Sequence, residues 1–84
     1  MFRLANGMSK TVGRAPVADF RLDAALVSRV HCRITAAHEA LNVEDLASTN
    51  GTFVNDQRID TRVLASGDRL RIGRVELTVE QVHH

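Results

Sequence analysis

The 84-residue chain is long enough for one domain, and it has no Trp, no Tyr and only three Phe, so its core is expected to be aliphatic. The formal net charge of +1, from 11 basic and 10 acidic residues, argues against nucleic-acid or membrane-surface binding driven by bulk charge. The single cysteine, Cys32, excludes an internal disulfide. We treat residues 1–84 as one domain and set aside His83 and His84, which are typical of a purification-tag remnant.

Helical periodicity is weak throughout, so the predicted elements are strands. In the N-terminal third, short strands are predicted at residues 2–4, 10–12 and 19–22. The stretch 23–27 is ambiguous in its periodicity, and we predict a loop there.

The central part of the chain alternates most clearly between apolar and polar residues. One face of the strand predicted at residues 30–36 carries Val30, Cys32, Ile34 and Ala36. The opposite face carries His31, Arg33 and Thr35. Residues 41–45 form the next predicted strand, with Leu41 and Val43 inward, after a short hairpin loop at residues 36–40.

A hairpin is predicted at residues 52–59, with its turn at Asn55 and Asp56. A turn at residues 65–69 follows it. These turn residues separate the hairpin from the last strands of the chain.

The second C-terminal hairpin, residues 69–79, turns at Gly73-Arg74, where glycine supplies the positive φ that a two-residue turn requires. Its predicted register pairs Ile72 with Val75, and Leu70 with Leu77, on the buried face. The same register places Arg71 opposite Glu76 on the wet face, as a favourable cross-strand pair.

Strands at intervals of about eight to twelve residues, with turn signals between them, predict an all-β sandwich of two antiparallel sheets. Loops of a sandwich cluster at its two ends and often carry function. Three polar segments adjoin strands, and we expect residues 13–16, 27–29 and 48–51 to meet at one end.

Convergence of these segments would create a donor-rich site without a carboxylate. Its members are two guanidinium groups, two hydroxyls and one amide, from Arg14, Arg29, Ser28, Thr49 and Asn50. A phosphate fits such a site, because it carries about −1.5 to −2 charges and three acceptor oxygens near neutral pH. Arginine can meet two of those oxygens at once, and hydroxyls can bond the third.

Three motifs follow one another along the chain: Gly13-Arg14, Ser28-Arg29-Val30-His31, and Ser48-Thr49-Asn50-Gly51-Thr52. In order and spacing they resemble the motifs of the forkhead-associated (FHA) domain family. The resemblance runs over nearly the whole chain, from about residue 2 to residue 79. It implies an FHA-like (SMAD/FHA-type) β-sandwich that binds phosphothreonine peptides through loops at one end and has no enzymatic activity.

The resemblance also implies a role for each matching residue. Arg14 and Ser28 would hold the phosphate, and Thr49 would add a phosphate contact. Arg29 would contact the phosphate or the adjacent peptide, and Asn50 would fix the peptide main chain. The supporting residues would be His31, which hydrogen-bonds across the loops, and Gly13 and Gly51, which permit tight backbone geometry.

Two departures from the family pattern concern the edges of the fold. Asn55-Asp56 stands where Asn-Gly is usual, which affects the hairpin and no expected ligand contact. The N-terminal part is short, so the first sheet is expected to be trimmed.

Two alternatives remain beside phosphopeptide binding. The same scaffold could serve phosphate-independent protein assembly, for example in a secretion or membrane-associated complex. Ser28, His31 and Asp45 have the residue types of a hydrolase triad, although a Gly-x-Ser-x-Gly elbow is absent. We expect a cytoplasmic module of a larger protein, with a phosphothreonine protein or peptide as partner. We expect no nucleic acid, membrane insertion, metal or cofactor.

Overall fold

The structure, a computed structural model, describes residues 4–38 and 40–80. These residues form nine strands: β1 (Ser9–Gly13), β2 (Phe20–Arg21), β3 (Cys32–Ala37), β4 (Ala40–Asp45), β5 (Thr52–Val54), β6 (Gln57–Ile59), β7 (Thr61–Leu64), β8 (Arg69–Ile72) and β9 (Val75–Thr78). Within the described ranges, no helix is long and apolar enough to cross a membrane.

The strands form two sheets, a five-stranded sheet ordered β2-β1-β3-β4-β7 and a four-stranded sheet ordered β6-β5-β8-β9. The predicted all-β sandwich is confirmed, with one exception to the antiparallel pairing: β2 runs parallel to β1. Just before β2, the Asp19 carboxylate accepts hydrogen bonds from the Thr11 backbone N–H (2.9 Å) and hydroxyl (3.1 Å). The contact returns the chain to the middle of β1 before β2 begins.

Both C-terminal hairpins have the predicted turns, and the second has the predicted register. Leu70 pairs with Leu77, and Arg71 faces Glu76. The Arg71 guanidinium nevertheless forms its ion pair with Asp56 (3.1 Å), because the first hairpin brings Asp56 beside it. Asn55 and Asp56 both have positive φ, 50° and 66°, which is the backbone that a two-residue hairpin turn needs.

Some predicted strands differ from those observed. Strand β7 is absent from the prediction, because two polar residues are followed by the two apolar residues Val63 and Leu64, so polarity does not alternate although Val63 is 64% exposed and Leu64 is buried. Strand β3 begins at Cys32, so Val30 and His31 precede it. The predicted strand at residues 19–22 shortens to the two residues of β2, and Leu4 lies outside any strand. Residues 2 and 3 of the first predicted strand lie outside the described residues.

The core lies between the two sheets and is aliphatic, as predicted. Its buried members are Val12, Val27, Cys32, Ile34, Val43, Val54, Leu64, Leu70, Ile72 and Val79. Two polar residues, His31 and Thr52, have no exposed surface at all. Both lie where the core meets the loops at one end of the sandwich, so these buried side chains can hold the loops in position.

Candidate functional site

Three loops at one end of the sandwich enclose a groove of about 540 Å³. We name them the Arg14 loop (residues 14–19), the Ser28 loop (22–31) and the Thr49 loop (46–51). The groove is lined by Arg14, Leu26, Val27, Ser28, Arg29, Val30, Ala47, Thr49 and Asn50. All five residues predicted to contact a ligand therefore line one groove, and none of its lining residues is acidic.

His31 joins the Ser28 loop to the Thr49 loop. The Ser28 backbone N–H donates to His31 Nδ1 (3.0 Å), so the ring proton lies on Nε2, which donates to the Gly51 carbonyl (2.8 Å). The ring is completely buried. The alternation of the sequence predicted His31 on the face opposite Cys32. Its side chain is instead buried, because His31 is the last residue of the Ser28 loop and not part of β3.

Asp45 shapes the Thr49 loop from within. Its carboxylate accepts hydrogen bonds from the hydroxyls of Ser48 and Thr52 and from the Ser48 backbone N–H. The Ser48 hydroxyl oxygen in turn accepts from the Gly51 backbone N–H (3.0 Å). Burial raises the pKa of the Asp45 carboxyl, but the hydrogen bonds from Ser48 and Thr52 outweigh burial, so the pKa lies below its ordinary value of 3.8.

This clasp of Asp45, Ser48 and Thr52 supports the site. Its two hydroxyl contacts, from Ser48 and Thr52 to Asp45, were not predicted from the sequence, where both residues were noted only as part of a motif. The signal for it is an aspartate followed three residues later by serine, since Asp side chains readily bond the backbone just ahead of them. The clasp leaves the next two residues, Thr49 and Asn50, at the tip of the loop.

The side chains at the groove hold one another while retaining free hydrogen-bonding capacity. Ser28 Oγ accepts from the Thr49 backbone N–H (3.0 Å), which leaves the Ser28 O–H free to donate. Asn50 Nδ2 donates to the Leu26 carbonyl (3.1 Å). The side-chain carbonyl of Asn50 and its second amide N–H can therefore still bond a ligand. Leu26 itself has a positive φ of 68°, an unusual backbone for leucine that this contact helps to hold.

Arg14 and Arg29 are placed by their backbones, not by their side chains. The Arg14 N–H donates to the Ser28 carbonyl (2.9 Å), and the Ala15 N–H donates to the Arg29 carbonyl (3.0 Å). A Cβ on Gly13 would lie only 2.2 Å from the Arg29 carbonyl oxygen, so this close approach requires glycine. Both arginines are exposed, and neither guanidinium has an ion-pair partner among residues 4–38 and 40–80.

Ser28, His31 and Asp45 do not form a catalytic triad. His31 Nδ1 bonds the backbone N–H of Ser28, and its Nε2 bonds the Gly51 carbonyl, so neither nitrogen bonds the Ser28 hydroxyl. Asp45 bonds Ser48 and Thr52 instead of the imidazole.

Residue types that bind metals form no second site within the described residues. No group of three His, Cys, Asp or Glu side chains in the described part of the chain could hold a metal ion. Burial, with a smaller effect from Asp45, raises the pKa of the Cys32 thiol to about 12, which keeps it protonated and unreactive near neutral pH.

The FHA domain family matches this chain over residues 10–73. The chain belongs to that family. Its relative GarA, the glycogen accumulation regulator of Mycobacterium tuberculosis, is 42% identical over 67 residues, which cover 80% of this chain. That matching stretch is 41% of the length of GarA, so the chain spans about two fifths of this curated relative.

Solved FHA domains have the same fold. One, from a study of phosphothreonine-dependent FHA domain interactions, superposes with a TM-score of 0.91 and 37% identity, covering 99% of this chain and 85% of the other. The FHA domain of a Chlamydia trachomatis protein superposes with a TM-score of 0.93 and 28% identity, covering 98% and 84%. The FHA resemblance predicted from the three motifs is confirmed.

Proposed function

We propose that this FHA domain recognises phosphothreonine peptides in Ser/Thr kinase signalling and acts by binding, without catalysis. The observation that carries the proposal is the meeting of two guanidinium groups, two hydroxyls and one amide in a groove that no carboxylate lines. Membership of the FHA family supports the proposal, as does the likeness to a domain studied for phosphothreonine-dependent interactions.

The phosphate would lie between the Arg14 loop and the Ser28 loop. Arg14 would meet two phosphate oxygens, and Ser28 would donate its free O–H to the third. Thr49 would add a hydroxyl contact, and Arg29 would bond the phosphate or the adjacent peptide. Asn50 would use its remaining carbonyl and N–H to bond the peptide main chain, since an amide can both donate and accept.

Prior ordering of the loops would favour this binding. His31 ties the Ser28 loop to Gly51, and Asp45 holds the Thr49 loop through Ser48. Because these bonds already fix the backbone, less conformational entropy is lost when the peptide binds. His31, Gly13 and Gly51 are thus proposed as supports and not as ligand contacts.

Threonine would be preferred to serine through its methyl group. Leu26, Val27, Val30 and Ala47 supply apolar surface beside the polar residues of the groove. Burial of one methyl group contributes only about 0.8 kcal/mol, so stronger discrimination would also require close steric fit.

Calorimetry with a matched set of peptides tests the proposal. A phosphothreonine peptide is titrated into the protein in parallel with its unphosphorylated twin and its phosphoserine twin. We expect micromolar affinity for the phosphothreonine peptide, about −8 kcal/mol, and no measurable heat with the unphosphorylated twin. Equal affinity for the phosphorylated and unphosphorylated peptides would instead favour the phosphate-independent assembly role.

We further propose that the domain works in the cytoplasm, as the recognition part of a longer regulatory protein. GarA, a regulator by name, extends well beyond the stretch that matches this chain. The phosphothreonine protein that the domain binds would then be the partner that the rest of the protein regulates.

A further inference from the structure

The arginines of the described chain fall into two groups. Five have a side-chain partner: Arg21 with Asp23, Arg33 with Glu44, Arg62 with Gln57, and both Arg69 and Arg71 with Asp56. Within residues 4–38 and 40–80, the other four make no side-chain hydrogen bond or ion pair: Arg14, Arg29, Arg58 and Arg74. Arg14 and Arg29 line the groove. Arg58 lies beside it, against Gly51, and is therefore a candidate for a further ligand contact.

Arg58 lies on the outer face of the four-stranded sheet. Thr52 and Val54 of β5 are completely buried, so Phe53 between them faces outward. Arg58 of β6 is the direct cross-strand partner of Phe53 and shares that face. On the other side of Phe53, Arg71 lies over the ring (4.5 Å to its centroid) and is held by Asp56.

The Arg58 side chain reaches from this face to the Thr49 loop. A Cβ on Gly51 would lie 2.9 Å from Arg58 Nε and 3.2 Å from Arg58 Cζ, so the guanidinium lies against the Gly51 backbone. The two residues before Gly51, Thr49 and Asn50, line the groove. Arg58 thus presents a positive charge next to the groove, unpaired within residues 4–38 and 40–80, although Arg58 itself does not line the groove.

A peptide that leaves the groove past the Thr49 loop meets this charge within a few residues, because an extended chain advances about 3.3 Å per residue. We propose that Arg58 forms a second anion-binding subsite, which takes an acidic or phosphorylated side chain on the same phosphothreonine peptide. This inference rests on the proposed function and adds a preference in sequence or modification to it. Its ligand chemistry is an anionic oxygen, supplied by a carboxylate or by a second phosphate.

The test compares three proteins: wild type, Arg58→Gln, and Arg69→Gln as a control. Arg69 is also exposed and also carries one positive charge, but it lies on β8 and pairs with Asp56, which retains Arg71 when Arg69 is replaced. Each protein is titrated with phosphothreonine peptides in which one flanking residue at a time is Asn, Asp or a second phosphothreonine.

At one or more positions, Asp in place of Asn is expected to raise wild-type affinity about two- to fivefold, the range that exposed charge pairs supply. Arg58→Gln should remove this gain, and Arg69→Gln should retain it. The gain should also shrink at high salt, since exposed charges are screened. A gain with the second phosphothreonine alone, lost in Arg58→Gln, supports the subsite and identifies phosphate as its ligand.

Other outcomes overturn the inference. If Arg58→Gln weakens the Asn and Asp peptides by the same factor, Arg58 only covers the Gly51 backbone and no anion subsite exists. If no substitution changes wild-type affinity, the subsite is likewise refuted while phosphothreonine recognition stands. Equal binding of the unphosphorylated twin contradicts the proposed function itself, so the two failures are distinguishable.

Discussion

The two ends of the sandwich use the same side-chain types in opposite ways. At the end away from the groove, Asn55 accepts a hydrogen bond from the Arg69 N–H (2.9 Å) and donates to Asp68 (3.0 Å). Asp68 also accepts from the Ala65 N–H (2.8 Å), which closes the turn between β7 and β8. Asn55 and Asp68 at this end therefore bind each other and the turn backbone.

At the groove end, hydrogen bonds fix the backbone and leave side-chain groups free. His31 and Asp45 are engaged entirely within the protein, whereas Arg14 and Arg29 have no side-chain partner in the described ranges. The groove end is the proposed binding end. We call the opposite end, where Asn55 and Asp68 hold the turns, the closing end. Both ends have hydrogen-bonded loops, but in the described residues the groove end also carries two guanidinium groups, those of Arg14 and Arg29, that have no ion-pair partner.

The largest expected effect is on affinity, from removal of a free arginine at the groove end. Arg14→Ala should cost about 2 to 5 kcal/mol of phosphopeptide binding, the usual loss for a hydrogen-bonded charge, which weakens a micromolar complex about 30-fold or more. Because the Arg14 side chain has no partner within the described chain, the thermal unfolding midpoint should stay near that of wild type. Calorimetry and thermal denaturation measure the two effects.

The matching change at the closing end is Arg69→Ala, which should leave affinity unchanged. If Arg14→Ala binds phosphopeptide as tightly as Arg69→Ala does, the assignment of Arg14 to the phosphate is wrong.

The next largest effect is on stability, from removal of the link between the loops. His31→Ala should cost about 2 to 4 kcal/mol of unfolding free energy, because it leaves a cavity and removes the partner of the part-buried Ser28 N–H and of the buried Gly51 carbonyl. It should also weaken phosphopeptide binding at temperatures where the protein remains folded. Urea denaturation and calorimetry on the same samples measure both effects.

Val43→Ala provides the control, because Val43 is fully buried in β4 and lines no part of the groove. It should lower stability and keep the affinity of wild type. Equal affinity in His31→Ala and Val43→Ala would show that His31 stabilises the fold without positioning the loops. His31→Gln, which retains hydrogen-bonding capacity, serves the same comparison if the alanine variant does not fold.

The smallest expected effects come from two aspartates, one at each end. Asp45→Asn should cost about 1 to 2 kcal/mol of unfolding free energy through weaker hydrogen bonds in the clasp, and should also weaken peptide binding. Asp68→Asn, at the closing end, should leave binding unchanged. The pKa of each carboxyl is lowered, for Asp45 by the clasp and for Asp68 chiefly by the Ala65 N–H and Asn55.

The sign of the pH dependence follows from these lowered pKa values. The stabilisation of the folded state by each carboxylate is complete well above pH 3.8. It is lost as the pH falls below 3.8 and passes through the lowered pKa of the folded state. The stability difference between wild type and each Asn variant should therefore narrow in acid, as measured by urea denaturation across pH. A difference that widens in acid, or an Asp68→Asn variant with weakened binding, would contradict the comparison.

Much of the fold could be predicted from the sequence where the signal is local. The alternation in β3 and β4, and the Gly73 turn with its register in β8 and β9, act over a few neighbouring residues and were predicted correctly. The three loop motifs predicted which side chains share a groove, because they precede or follow strands that the sandwich brings together.

The differences arose where the deciding contact spans distant segments. Strand β7 is identified by its pairing with β4, since its sequence does not alternate between polar and apolar residues. Arg71 faces Glu76 in register but pairs with Asp56, which the neighbouring hairpin brings within reach.

By itself, the sequence determined the strand character, the turns, the aliphatic core and the set of groups offered to a ligand, because side-chain alternation and turn chemistry act between near neighbours. Only the tertiary structure decided the burial of His31 between two loops, the clasp on Asp45 and the approach of Arg58 to Gly51. Those features depend on which distant segments become adjacent, and hydrogen bonds and ion pairs form only at short range.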